Sequence, residues 1–116
     1  MSAHTDLQAL LLATPAVTAL CGTRIYSDRA EQSAQTPFVV YVGTSEPQRA
    51  LNGSVHGIKT VFDIQCWAAS RSKANELAYA VQTAVDAQHM YASGPSSGFD
   101  ADLDLEAAIL ECTWWA

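Results

Sequence analysis

The sequence predicts an α+β fold: a mainly antiparallel sheet of about four strands with two helices packed on one face, in the order α-β-β-β-α-β. Three observations predict it. Ile58, Thr60, Phe62, Ile64 and Cys66 alternate with Lys59, Val61, Asp63, Gln65 and Trp67, the period of two expected of a strand with one buried face. From Ser70 the period changes, and Ala74, Leu77, Ala78, Val81 and Val85 recur at the spacing of one helical stripe. Ahead of both lies Phe38-Val39-Val40-Tyr41-Val42, an unbroken β-branched and aromatic run. Strands in a run followed by a separate helix favour α+β over alternating βαβ units.

The elements follow in order. Thr5-Asp6-Leu7-Gln8 fits a capping box, in which the Thr5 hydroxyl and the Gln8 side chain satisfy free backbone donors ahead of Leu7, Leu10 and Leu11. Pro15 ends this helix and suits the first turn of a second helical piece, which Gly22 stops. Arg24-Ile25-Tyr26 is a brief extended segment, and residues 27–36, polar and without a period, form a loop. Pro37 opens the first long strand and Pro47 ends it. Glu46 to Gly57, with Asn52-Gly53, is a turn-rich connection, making the two strands an antiparallel pair joined by a long hairpin arm. After the helix, Ala92 to Gly98 has the composition of a loop, with two Gly, one Pro and three Ser. Leu103 to Trp115 closes the sheet.

Bulk composition bounds the function. The 116 residues, expected to form one domain over 1–116, are 49% hydrophobic and only 16% charged, a surface that can be buried against partners. Twelve acidic against six basic residues give a net charge of −6, which disfavours a domain that grips phosphates. Cys21, Cys66 and Cys112 are odd in number, far apart and in no metal-ligand pattern, so reduced, buried thiols are expected. Met1 to Asp6 is polar and precedes only a short apolar segment, so no signal peptide is expected, and nowhere do about 18 apolar residues run together to span a membrane.

No catalytic, cofactor or metal site emerges. His4, His56 and His89 share no ligand spacing with each other or with a Cys. Ser, His and Asp occur without a motif that would assemble them. Asp100, Asp102, Asp104 and Glu106 lack the loop pattern of a calcium site and fit the wet side of a strand or its lead-in. Gly53-Ser54-Val55-His56-Gly57 is no phosphate cradle, since no helix follows it. Trp114 and Trp115 are adjacent on a strand, so one faces the core and the other is capped or offered to a partner.

Taken together, Ala16-Val17-Thr18-Ala19-Leu20, Gly22-Thr23-Arg24-Ile25-Tyr26, Pro37-Phe38-Val39-Val40-Tyr41, Leu51-Asn52-Gly53 and Phe62-Asp63-Ile64-Gln65-Cys66-Trp67-Ala68, with the helix after them, resemble the phage tail completion or tail terminator family. The resemblance covers most of the chain and rests on the order and spacing of the segments. It implies a structural virion protein with no catalytic residues and no cofactor. Such a subunit forms a homo-hexameric ring at the head-proximal end of the tail tube, ends tube polymerisation and meets the head connector, while DNA passes only through the lumen. Assembly takes place in the host cytoplasm, without a membrane. The loops and the Trp-bearing end then supply the candidate contacts with a neighbour or the tube: Arg29, Glu31, Glu46, Arg49, Asn52, His56, Trp114 and Trp115. A head-closure or neck ring protein is the alternative within phage assembly, and a small-molecule-binding α+β domain with a pocket between sheet and helix is the alternative outside it.

Overall fold

A computed structural model describes residues 3–29, 35–49, 55–88 and 91–115, with the side chains of 3, 46–49, 55–58, 91 and 115 left aside. The fold is α+β, with the chain running α1 (Ala3–Leu12), α2 (Pro15–Cys21), β1 (Ile25–Ser27), β2 (Phe38–Arg49), β3 (Val55–Ala68), α3 (Arg71–Asp86), β4 (Tyr91–Asp100) and β5 (Leu105–Trp115). The five strands form one sheet in the order β1-β2-β3-β5-β4. It is mixed: β1 lies parallel to β2, and every other pairing is antiparallel. The sheet therefore has one strand more, and the described chain one helix more, than the sequence predicts.

The alternation of β3 holds over its described side chains, Lys59 to Ala68. Phe62, Ile64, Cys66 and Ala68 are wholly buried and pack with Leu7, Leu11, Val17, Leu77, Val81, Val85 and Leu110 into one core between the sheet and the helices. Ser70 caps α3 by accepting from the Lys73 amide, and Ala74, Leu77, Ala78, Val81 and Val85 form its buried stripe as expected. At the start of α3, Arg71 donates to the carbonyls of Ala107 (2.7 Å) and Gly98 (3.5 Å) and pairs with Glu106, tying the helix to β5 and β4.

Four expectations need correction. α1 begins at Ala3, ahead of the proposed cap, and the Gln8 side chain leaves the helix: Nε2 donates to the Ile25 carbonyl (3.1 Å), and Oε1 accepts from the Tyr41 hydroxyl (2.7 Å). Tertiary partners outcompete the local cap. Pro47 does not end β2, which continues to Arg49 opposite Val55. Beyond Tyr41, β2 has a described partner on β3 alone, and a proline is tolerated on such an edge. Accordingly, much of Glu46 to Gly57 is ladder rather than turn. Finally, Tyr91–Asp100 is the edge strand β4, not a loop. Its ladder to β5 shifts register between Ser93 and Ser96, where Gly94 takes φ +111° and a Cβ would lie 2.9 Å from the Ile109 carbonyl oxygen. An edge strand needs only one partner, and β5 templates this one despite its Gly, Pro and Ser.

Candidate functional site

The three described helices lie on one face of the sheet, and among the described residues the opposite face has no helical cover. Register assigns its residues. Tyr26, Phe38, Val40, Val42 and Thr44 lie in line with Val61, Asp63, Gln65 and Trp67 of β3, then with Ala107, Ile109, Glu111 and Thr113 of β5 and Ser93 of β4. One end of this face is self-covered: Phe38 and Val40 are buried, Tyr26 meets Phe38 edge-on at 6.2 Å, and Trp67 stands in line with Phe38 on one side and Ala107 on the other. A groove of about 230 Å³ opens over this end, floored by Phe38, Val40, Gln65 and Trp67 and rimmed by Arg29 and by Leu103, which is 63% exposed.

The other end is open and carries charge. Asp63 and Glu111 are exposed and directly opposite one another across the β3–β5 ladder. Like charges in that position repel. A polar file along β3 holds one of them, with Trp67 Nε1 donating to Gln65 Oε1 (3.1 Å) and Gln65 Nε2 to Asp63 Oδ2 (3.4 Å). Among the described residues neither carboxylate is in an ion pair. Val42, Thr44, Lys59 and Val61 complete a depression of about 480 Å³ around the pair.

Beyond this end the β2–β3 hairpin runs on as an arm. The helix layer stops at its base, where His4 of α1 stacks edge-on against Phe62 at 5.1 Å and Gly43 makes room for both. Thr60, a buried polar residue here, shares a 2.8 Å hydrogen bond with Ser45 across the ladder. Among the described residues β5 pairs with β3 only from Ala68 to Lys59, and Val55–Ile58 is paired with β2 alone. A 14-residue strand rising about 3.3 Å per residue accounts for the longest dimension of the molecule, 50 Å.

The candidate contact residues distribute unevenly over these features. Arg29 is exposed on the rim of the groove. Glu46, Arg49 and His56 lie on the arm strands, Glu46 opposite Lys59 and Arg49 opposite Val55, while their side chains, with Glu31 and Asn52 as a whole, fall outside the described residues. Trp114 is 7% exposed and packs edge-on against Phe62 at 6.4 Å, making it the inward member of the tryptophan pair. Trp115 sits opposite Lys59 in the ladder, its side chain outside the described residues. Residue-by-residue reading of the sequence missed Asp63 and Glu111; the alternation of β3 contains the first, but only the β3–β5 register joins it to the second.

The acidic stretch of the β4–β5 connection is a turn. Asp100 Oδ1 accepts from the amides of Asp102 (3.0 Å) and Leu103 (3.2 Å), Asp104 adopts φ +54°, and Glu106 is the partner of Arg71. The three thiols are free and buried. Burial pushes Cys66 up to about 12, and burial followed by the nearby charge of Asp86 pushes Cys112 up to about 11. Burial also raises Cys21, against the opposing charge of Arg24. Thiols so held stay protonated and are poor nucleophiles. Among the described residues no three of His, Cys, Asp and Glu converge as metal ligands, and no helix is long and apolar enough to cross a membrane.

The fold thus presents a helix-free sheet face and a projecting strand pair, and its described polar groups serve turns, ladders and clamps. The model of the tail completion protein gp17 family matches residues 5–116, and the chain belongs to that family of structural phage tail proteins. No curated protein matches the chain significantly.

Proposed function

We propose that this chain is the tail terminator of its phage: a subunit that forms a ring, hexameric by the family resemblance, on the head-proximal end of the tail tube, ends polymerisation of the tube protein and meets the head connector. The observation that carries the reading, alongside membership of the family, is the pairing of an uncovered sheet face with an arm that outruns its own helix layer. An isolated two-stranded ribbon is marginal in water, so a partner packed against the paired strands of the arm stabilises them. The space between sheet and helices is filled by Leu7, Leu11, Phe62, Ile64, Leu77 and Leu110, all wholly buried, which favours a subunit over a pocket-bearing binding domain. A net charge of −6 suits a ring through whose lumen DNA passes without adhering.

The test is imaging. Negative-stain micrographs of tails assembled with the protein, without it, and with a variant whose Glu46 to Gly57 segment is shortened to a two-residue turn compare tube lengths. Tubes overgrow without the protein, and the shortened variant stays folded by circular dichroism yet fails to stop them. Tubes of normal length in the absence of the protein overturn the terminator role, and normal tails from the shortened variant remove the arm from it.

A further inference from the structure

We propose that the open end of the helix-free face, around Asp63 and Glu111, receives the β2–β3 arm of a second copy of this chain, with Arg49 of that arm set against the two carboxylates. The inference deepens the ring reading above and rests on it. Three observations lead to a copy of the same chain as the occupant. The two carboxylates face each other across a ladder, neither in an ion pair among the described residues although Lys59 lines the same depression, and Val42, Val61, Ile109 and Thr113 surround them on the same face. A cationic side chain arriving there relieves their repulsion, and desolvation by these neighbours strengthens the attraction.

The arm supplies such a cation. Arg49 ends β2 at the far end of the arm, while Arg24, bound to the Pro37 carbonyl, Arg71, paired with Glu106, Arg29 and Lys73 lie off the arm, and Lys59 lies at its base on β3. Length fits as well. The two-stranded part of the arm on β2, Pro47 to Arg49, runs three residues, about 10 Å at a strand's rise, and the two strand spacings from β2 to β5 cover a similar width at about 4.8 Å each. An arm laid on the face at β2 thus carries Arg49 to the β3–β5 carboxylate pair. The contact joins two different surfaces, arm to face, and a heterologous contact of this kind closes into a ring when its rotation permits, while an isologous one stops at a dimer.

Cross-linking between copies tests the contact. Gln48→Cys marks the arm and Ser93→Cys, opposite Glu111 on β4, marks the face. Cys21, Cys66 and Cys112 are buried, so a short bismaleimide reacts only at the introduced thiols. Within one chain the two marks are separated by about 20 Å of strand, counted from Gly57 to Asp63, the ladder partners of Gln48 and Glu111, at 3.3 Å per residue. A short linker does not span that distance, so any product joins two chains. The two single variants mixed give a cross-linked dimer, the double variant gives a ladder of higher species, and each single variant alone gives neither.

Asp63→Lys with Glu111→Lys on the face-marked chain lowers the yield at least about fivefold, and Arg49→Glu on the arm-marked chain restores at least half of it. If the double reversal fails to fold by circular dichroism, Asp63→Asn with Glu111→Gln is used and lowers the yield about threefold. Absence of the mixed product up to millimolar protein overturns the proposal, as does an equal yield from the arm-marked variant alone, which signifies arm-to-arm pairing. A yield indifferent to charge reversal overturns the role of Arg49 and the carboxylates. Tail length is scored separately, so a ladder with normal tails in the absence of the protein refutes the terminator reading and keeps the contact; overgrown tails without a ladder do the reverse.

Discussion

Replacing Gly43 with alanine sets two effects of known sign against each other. Glycine in a strand interior gives up more backbone entropy on folding than alanine, so the substitution alone stabilises by about 0.5–1 kcal/mol. The site, however, has no room. A Cβ on Gly43 would lie 2.6 Å from Phe62 Cε1, 2.8 Å from Phe62 Cδ1 and 2.7 Å from His4 Nε2. His4 is half-buried on the first turn of α1 and is able to swing away, whereas Phe62 is wholly buried and wedged edge-on between Tyr41, His4 and Trp114. Overpacking of this kind costs about 1–3 kcal/mol. The clash wins, and Gly43→Ala is expected to destabilise by about 1–2 kcal/mol, a fall in Tm of about 4–8 °C for a chain of this size. Urea titration followed by tryptophan fluorescence measures it. The decisive comparison is the double variant with Phe62→Leu, which shortens the clashing ring: the pair should cost at least 0.5 kcal/mol less than the sum of the two single changes, since they share one space. Additive costs, or an unchanged midpoint for Gly43→Ala, would refute the close approach on which this reasoning depends.

Alkaline pH probes the buried thiols. In the unfolded chain Cys66 and Cys112 titrate near 9.0, while the folded chain holds them up to about 12 and about 11, so above pH 9 the unfolded state sheds protons that the folded state keeps. Stability is therefore full below pH 9 and falls from there towards pH 11, by up to about 1.4 kcal/mol per pH unit for each thiol; denaturant midpoints at pH 8, 9.5 and 10.5 record the slope, and Cys66→Ala with Cys112→Ala should flatten most of it. Arg71→Ala removes two carbonyl contacts and an ion pair from a half-exposed site and is expected to lower stability by about 1–2 kcal/mol, with Arg71→Lys recovering less than half because a single ammonium does not reproduce the fork. Gln8→Leu removes the donor to the Ile25 carbonyl and the 2.7 Å acceptor of the Tyr41 hydroxyl, which retains a 3.5 Å contact to the His4 carbonyl, and should cost about 1–2 kcal/mol in the same titration, whereas Tyr79→Ser on the outer face of α3, where the ring is 58% exposed, should change it by less than about 0.5 kcal/mol.

What the sequence discloses depends on whether a local period survives contact with the rest of the chain. β3 and α3 are legible because each buries one face fully, so the two-residue and 3.6-residue patterns are carried by residues that all lie in the core. β4 is illegible for the opposite reason: Ser93, Gly94, Pro95, Ser96, Ser97 and Gly98 have no strand pattern of their own and are held by the ladder of β5. The helix start at Thr5 misleads because the Gln8 amide has two possible employments, a local cap or the Ile25 and Tyr41 groups, and only the packing of α1 on the sheet decides between them. For the same reason the tryptophan pair resolves only through register: Trp114 pairs with Thr60, which lies on the face of Phe62 and Ile64, and that parity sends it inward. The carboxylate pair is a still longer inference, since Asp63 and Glu111 are 48 residues apart in sequence and become neighbours only when β5 enters beside β3.

The second face of β3 departs from the pattern of a purely structural strand. A strand whose residues served only the core would carry plain polar residues on its other side. Here Lys59, Val61, Asp63, Gln65 and Trp67 instead alternate apolar bulk with charge, and the neighbouring strands do the same with Val42, Ile109 and Glu111. Exposed apolar groups beside uncompensated carboxylates lower the stability and solubility of an isolated subunit, yet both terms reverse sign once a partner covers the face with a cation and aliphatic surface. Under the proposed arm-to-face contact that reversal is what the face contributes: the same residues that burden the lone chain favour assembly, and the weaker the lone arm and lone face are, the more completely the equilibrium favours the arrangement in which each covers the other.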